Sequence, residues 1–310
     1  MQDLILYHYA MSPFAEKMRA MLGYTGIPWQ SVTVREMPPR KVLSILAGGY
    51  RKVPVAQIGA DVFCDTRTIS DELAHISGRP ELSLAGQPQE IINFVRKADL
   101  EIFFACVIAA SDKHLLKKLI RETSLWNALL FLKDRAAMGK TSRVRSARGP
   151  KAKALVLQQM ADMEKMLASD FLFGDQPCVA DFSAYHGLWF VTELAEKPWI
   201  EDYPKIKDWL ARMKAFGHGS QQKLKDKQGL DIAKAASPRP VPSGGEDALT
   251  GQPVTVAPDD YARDPVMGTL VFADDRKLIV SRNHRPVGEV HVHFPRQGYV
   301  ITAGHNKQPD

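Results

Sequence analysis

The 310-residue sequence predicts an α/β N-terminal domain, an all-helical domain behind it and a small antiparallel β appendage. Three observations predict this. Strand-like and helix-like segments alternate over residues 4–77; helical periodicity alone runs from Gln87 to about Phe216; and short alternating segments separated by turns follow a stretch rich in Pro, Gly and Ser.

LILYH, from Leu4, reads as a buried strand. A helix follows Ser12, with Phe14, Met18, Met21 and Leu22 on one face, until Gly26 and Pro28 stop it. WQSVTV is the next strand, and the intervening helix implies parallel pairing, because parallel strands need a crossover. Past Pro38-Pro39, RKVLSILAGG is a short helix with a Gly-Gly end. VPVAQI and DVFCD flank Gly59-Ala60 as an antiparallel hairpin, and TRTISDELAHISG closes the unit as a helix. The predicted order is β-α-β-α-β-β-α over 1–79. Five helices are expected over 86–217, with a basic loop between the second and third. Residues 218–260 read as a linker, and 261–310 as a β unit too small for a core of its own, which must pack on a preceding domain.

Composition narrows the function classes. The formal charge of +6 is matched by one stretch, GKTSRVRSARGPKAK, in which six Lys and Arg stand without an acid. The basic pI therefore describes a local segment, and no nucleic-acid partner is expected. The N-terminus lacks the pattern of a secretory signal, and the most apolar run, IFFACVIAAS, is half of what a span requires, so no membrane partner is expected either. Three cysteines, Cys64, Cys106 and Cys178, without CxxC spacing point to a reducing compartment, with the cytoplasm as the expected location.

The chemistry concentrates where strands meet helices. Ser12 is a good helix cap and Pro13 a good first helical residue, since the missing N–H would have had no partner there. A helix start also favours an anion, so the Ser12 hydroxyl could donate to a sulfur held as thiolate. Tyr9 points towards the same corner by strand alternation, whereas Tyr7 faces the core with Ile5. Val53-Pro54, if cis, would leave the Val53 backbone free to pair with an extended peptide. Asp65-Thr66 stands at a strand end where a helix begins, a natural anion site. GKTS lacks the earlier glycine of a phosphate loop, and His291 with His293 has no further ligand at metal spacing, so no metal is expected.

These residues resemble the glutathione transferase superfamily, whose first domain has a thioredoxin-like fold. SPFAEKMRAML is similar to the first-helix motif of the omega and tau classes; VP at 53, CDTRTISDELA and GDQPCVADFSAY match three further family motifs in order. The resemblance covers residues 4 to about 216. It implies glutathione as cosubstrate, activated by Ser12 or, as in other classes, by a first-strand tyrosine, here Tyr9. It implies that Phe14 sits in the site, that Val53 and Pro54 clamp the cysteinyl part, that Asp65 and Thr66 hold the γ-glutamyl end, and that Arg40 or Lys41 meets the glycine carboxylate. Ser in place of an omega-type Cys prevents a mixed disulfide at position 12 and favours conjugation to a small electrophile. Trp126, Tyr185, His186 and Trp189 are the candidate lining of the acceptor pocket, and a homodimer is implied. Asp181, three residues after Cys178, is expected to start a buried helix, with Cys178 a weaker cap than the usual Ser or Thr. Two rival expectations are a non-catalytic binding or scaffold protein that keeps the fold, and a glutathione-dependent reductase or lyase using Cys64.

Overall fold

The structure, a computed structural model, describes residues 3–144, 147–245 and 247–304. Its first domain follows the expected order: β1 (Leu4–His8), α1 (Pro13–Thr25), β2 (Trp29–Thr33), α2 (Lys41–Leu46), β3 (Val55–Ile58), β4 (Asp61–Cys64) and α3 (Thr66–Ser77). β1 pairs parallel with β2 and antiparallel with β3, and β3 turns back into β4 at Gly59-Ala60. Tyr7 is buried, as its alternation requires, and its hydroxyl donates to Gln57 at 2.5 Å.

In the helical domain α4 (Gln89–Lys97) runs through a π-helical turn into α5 (Phe103–Ala110), followed by α6 (Lys113–Glu122), α7 (Leu125–Thr141), α8 (Pro150–Met166), α9 (Val179–Trp189) and α10 (Pro204–Ala215). The second of the five expected helices is thus two. Ser124 receives the Asn127 N–H at 3.1 Å and caps α7 afresh, a side-chain bond that competes with a continuous helix. Asp181 starts α9 from a fully buried position: one carboxylate oxygen accepts from Leu172 N–H and Trp209 Nε1–H, each at 2.9 Å, and the other from Cys178 N–H at 3.0 Å. The capping box is closed, with the weak sulfur acceptor on one side and the carboxylate on the other. Between the domains Lys17, 1% exposed, donates to both Asp99 oxygens at 2.9–3.0 Å and to Ser183 Oγ at 2.8 Å, so this buried ammonium is paired and fully hydrogen-bonded.

The stretch read as a linker is more structured than its composition suggests. Residues 218–260 contain β5 (Gln221–Lys223), which extends β2; α11 (Asp226–Lys234); and β6 (Pro253–Pro258). α11 packs on the first domain at Gly229, where an added Cβ would stand 1.9 Å from the Tyr7 hydroxyl, and the Gly229 carbonyl accepts from Gln57 Nε2 at 2.9 Å. The β unit accordingly starts at 253 rather than 261, with β7 (Val266–Ala273), β8 (Lys277–His284), β9 (Gly288–Pro295) and β10 (Tyr299–Ala303). It does pack on a preceding domain, by the most direct route: β9 lies parallel beside β4, with Asp61 opposite His291 and Phe63 opposite His293. One ten-stranded sheet results among the described residues, in the order β10-β6-β7-β8-β9-β4-β3-β1-β2-β5. One face buries α1, α3 and the helical domain; the other buries α2, α11 and the apolar side chains of the appendage.

A buried histidine beside α1 makes stability pH-dependent. His8 Nδ1 faces an Arg19 guanidinium N–H at 3.0 Å and Nε2 meets Ser31 Oγ at 2.8 Å, which fixes a neutral ring with its proton on Nε2. Burial, then the Arg19 charge, lowers its pKa to about 4. The unfolded chain therefore binds this proton more readily, so stability is full above about pH 6.5 and is lost as the pH falls towards 4. Urea unfolding at pH 7 and pH 5 should differ by about 2 kcal/mol from His8 alone. A His8→Gln variant whose stability fell just as steeply would remove this explanation.

Candidate functional site

A cavity of about 320 Å³ opens between the start of α1, the Val53-Pro54 corner, the N-terminus of α3, the first helix of the second domain and two loops of the appendage. Five predicted site residues, Phe14, Val53, Pro54, Asp65 and Thr66, line it together. Val53-Pro54 is cis, and among the described residues neither the Val53 N–H nor its carbonyl has a hydrogen-bond partner. Thr66 is the first residue of α3, and its hydroxyl is likewise unpaired among the described residues, so it and the helix N-terminus offer donors to an anion. Phe14 leans into the second domain, its ring 4.7 Å from Phe103 and 4.6 Å from His186.

Asp65 is held in an uncommon backbone conformation, φ +83°, which a non-glycine residue adopts only under constraint. Four donors supply the constraint. Arg67 gives Oδ1 its backbone N–H at 3.0 Å and Nε at 3.1 Å, while Oδ2 accepts Arg67 Nη2 at 3.2 Å and the Tyr299 hydroxyl at 3.1 Å. Burial pushes the Asp65 carboxyl up, but the Arg67 guanidinium beside it outweighs burial and holds it well below the usual carboxylate range.

The other predicted residues stand elsewhere. Ser12, 3% exposed, caps α1 by accepting the Ala15 N–H at 3.3 Å; it stands at the start of the helix, two residues before the cavity-lining Phe14. Tyr9 is half-buried and does not line the cavity. Arg40 donates to the carbonyls of Arg35 and Arg51, each at 2.7 Å, and of Glu36 at 2.9 Å; each of its three nitrogens holds a backbone carbonyl, which makes it a loop clamp. Lys41 is exposed at the start of α2. Of the aromatic candidates only His186 reaches the cavity region, through Phe14; Tyr185 and Trp189 line a separate groove with His8 and Glu16, and Trp126 is on the surface.

Sequence reasoning missed Lys52 and the appendage residues that line the cavity or brace its Asp65 wall. Asp260 pairs with Lys52 at 2.7 Å, and Lys52 sits 4.1 Å above the Tyr261 ring. Tyr299 bonds Tyr50 at 2.8 Å as well as Asp65, and the Gln297 carbonyl accepts from Arg67 at 2.9 Å. Asp259 lines the cavity with no side-chain partner among the described residues. Only Lys52, next to Val53-Pro54, carried a sequence signal.

Cys64 is poorly placed to supply a thiolate. It is fully buried, and burial, then the neighbouring Asp65 charge, pushes its thiol well above the ordinary range. Burial also raises Cys106 and Cys178 to about 12. The His293 imidazole bonds Asp61 at 2.7 Å and stacks on Phe63 at 4.6 Å, and no cluster of three potential metal ligands occurs among the described residues.

Comparison with known proteins agrees with this architecture. Residues 6–81 match the family model for "Glutathione S-transferase, N-terminal domain", and residues 127–212 that for "Glutathione S-transferase, C-terminal domain". A GST-like protein from Pseudomonas syringae, known from a crystal structure, is 34% identical across 97% of this chain and 100% of its own, with a TM-score of 0.76. Among curated proteins, Prostaglandin E synthase 2 of Mus musculus is 35% identical over 95 residues, which are 30% of this chain and 23% of that protein. A glutathione transferase family member from Pseudomonas fluorescens, solved with two glutathione bound, is 16% identical, covers 69% of this chain and 89% of its own, and has a TM-score of 0.46.

Proposed function

Since the chain belongs to the glutathione S-transferase superfamily, we propose that its cavity binds glutathione and that Ser12 holds the thiol as a thiolate for attack on a small electrophile. The observation that carries this reading is the meeting, around one cavity, of a Val53 backbone and a Thr66 hydroxyl that are unpaired among the described residues with a helix N-terminus. The Val53 N–H and carbonyl pair with the cysteinyl backbone, and Thr66 with the start of α3 receives the γ-glutamyl carboxylate. The thiol proton leaves to solvent; the sulfur lone pair forms the new S–C bond as the acceptor's leaving group departs or its electron pair shifts. High thiol pKa values at all three cysteines weigh against a disulfide route. A reducing, cytoplasmic setting and a homodimer complete the reading.

The γ-glutamyl ammonium needs an acceptor other than Asp65, because four donors already fill that carboxylate. Asp259 is the cavity carboxylate left without a side-chain partner among the described residues, and it takes the role. Calorimetry with glutathione tests both statements. The wild type should bind, and Asp259→Asn should weaken binding about tenfold, the loss of one charge-assisted bond. Absence of any wild-type binding overturns the glutathione reading; equal binding by Asp259→Asn overturns the assignment of Asp259 alone.

A further inference from the structure

Helix α7 is sparsely covered. Of its 17 residues only Ala128 is buried. Leu125, Trp126, Leu129 and Leu132 are 60%, 69%, 52% and 44% exposed. At about 100° per residue these four share one face with Lys133, Ala136 and Lys140, and that face has no acid. The other side of the helix is anchored to the first domain: Asp134 pairs with Arg51, and Arg135 donates to the Glu36 carbonyl at 2.9 Å while lying over the Phe131 ring. The apolar stripe is therefore what remains after the helix has been fastened, and a contiguous patch of large apolar side chains marks a contact surface.

Charge selects the partner. Residues 113–153 contain twelve Lys and Arg against two acids, Glu122 and Asp134, in a chain whose total is only +6; Lys133 and Lys140 stand on the apolar face itself, while Lys118 is paired with Glu196 and Arg135 lies on the anchored side. Asp134 is already neutralised by Arg51. A second copy docked two-fold on this face would set one basic region against another. Nucleic acid would answer the cations and leave four large apolar side chains without contacts. An anionic bilayer answers both, its headgroups meeting Lys and Arg while Leu and Trp enter the headgroup–acyl boundary. No helix among the described residues is long and apolar enough to cross a membrane, so the contact is that of a helix lying on the surface.

We propose that the exposed face of α7 docks the protein on an anionic lipid surface. The end of this helix adjoins the cavity rim: Arg51, which pairs with α7, precedes Lys52, and the Arg143 N–H just beyond the helix donates to the Asp260 carbonyl at 2.8 Å. Docking thus brings the cavity near lipid, where apolar electrophiles concentrate; this consequence rests on the glutathione reading, and the docking does not.

The test is sedimentation of the full chain with vesicles of phosphatidylcholine alone or with one third phosphatidylserine. Wild-type protein should pellet with the anionic vesicles only, and high salt should release it. The double variant Trp126→Ser, Leu129→Ser should partition about tenfold less, with unchanged thermal midpoint and glutathione binding. The proposal is overturned by wild type that stays in the supernatant at low salt, or by a double variant that binds as wild type does. It is equally overturned by a dimer in sedimentation equilibrium that the double variant dissociates, which would make a second copy the occupant. Binding to polyglutamate or a DNA duplex that is lost in the variant, with vesicle binding retained, would also overturn it.

Discussion

Ser12→Ala lowers glutathione-dependent turnover about 100-fold, the effect of deleting one preorganised donor at a developing or stabilised anion. The hydroxyl oxygen is occupied by the Ala15 N–H, which leaves its proton as the group to present to a sulfur. Ser12 is buried, so only a thiol seated at the start of α1 can meet it. The folded state survives the substitution, because losing a helix cap costs about 1 kcal/mol. Ultraviolet titration of bound glutathione should show the thiol pKa rising in parallel with the loss in kcat/KM. Tyr9→Phe provides the contrast, with turnover within a few-fold of wild type. If Ser12→Ala turns over normally and Tyr9→Phe does not, the two residues exchange roles.

Asp181→Ala destabilises the protein by about 4 kcal/mol, since three buried donors lose their acceptor and each unpaired group costs about 1–3 kcal/mol. Those donors come from the loop before α9, the first residue of its cap and the Trp209 indole on α10, so the loss spreads over three segments at once. Burial raises the Asp181 carboxyl above its ordinary value, yet the three hydrogen bonds oppose that shift. Asp181→Asn keeps one good acceptor and should fall between wild type and alanine in urea unfolding. A cost below about 1 kcal/mol for Asp181→Ala would mean that water replaces the carboxylate.

The first domain was legible because its strands are short apolar runs closed by Gly and Pro, and each such stop has a local cause. The break at Ser124 was visible only as one polar residue between two apolar helical patterns, and periodicity ran across it. The segment 218–260 was misread because Pro, Gly and Ser dominate its second half; Leu230 and Ala233 of α11 held a helical spacing that composition obscured. Five residues that line the cavity are legible through motifs at strand–helix corners, where chemistry and backbone geometry coincide. Asp259, Asp260 and Tyr261 are not, since nothing local in the appendage tells which distant strand it joins. Arg40 looked like a ligand-binding cation, and only the placement of three carbonyls around it reveals a clamp.

The parallel pairing of β4 with β9 joins Asp61 to His291, residues 230 positions apart. During synthesis β4 therefore emerges from the ribosome long before its neighbour exists, and its polar edge waits unpaired while the helical domain is made. Such an edge is a template for wrong pairing, so the interval before β9 exists is the one in which this sheet is exposed to it. A chain that stops ahead of residue 288 leaves β4 as an open margin of the sheet.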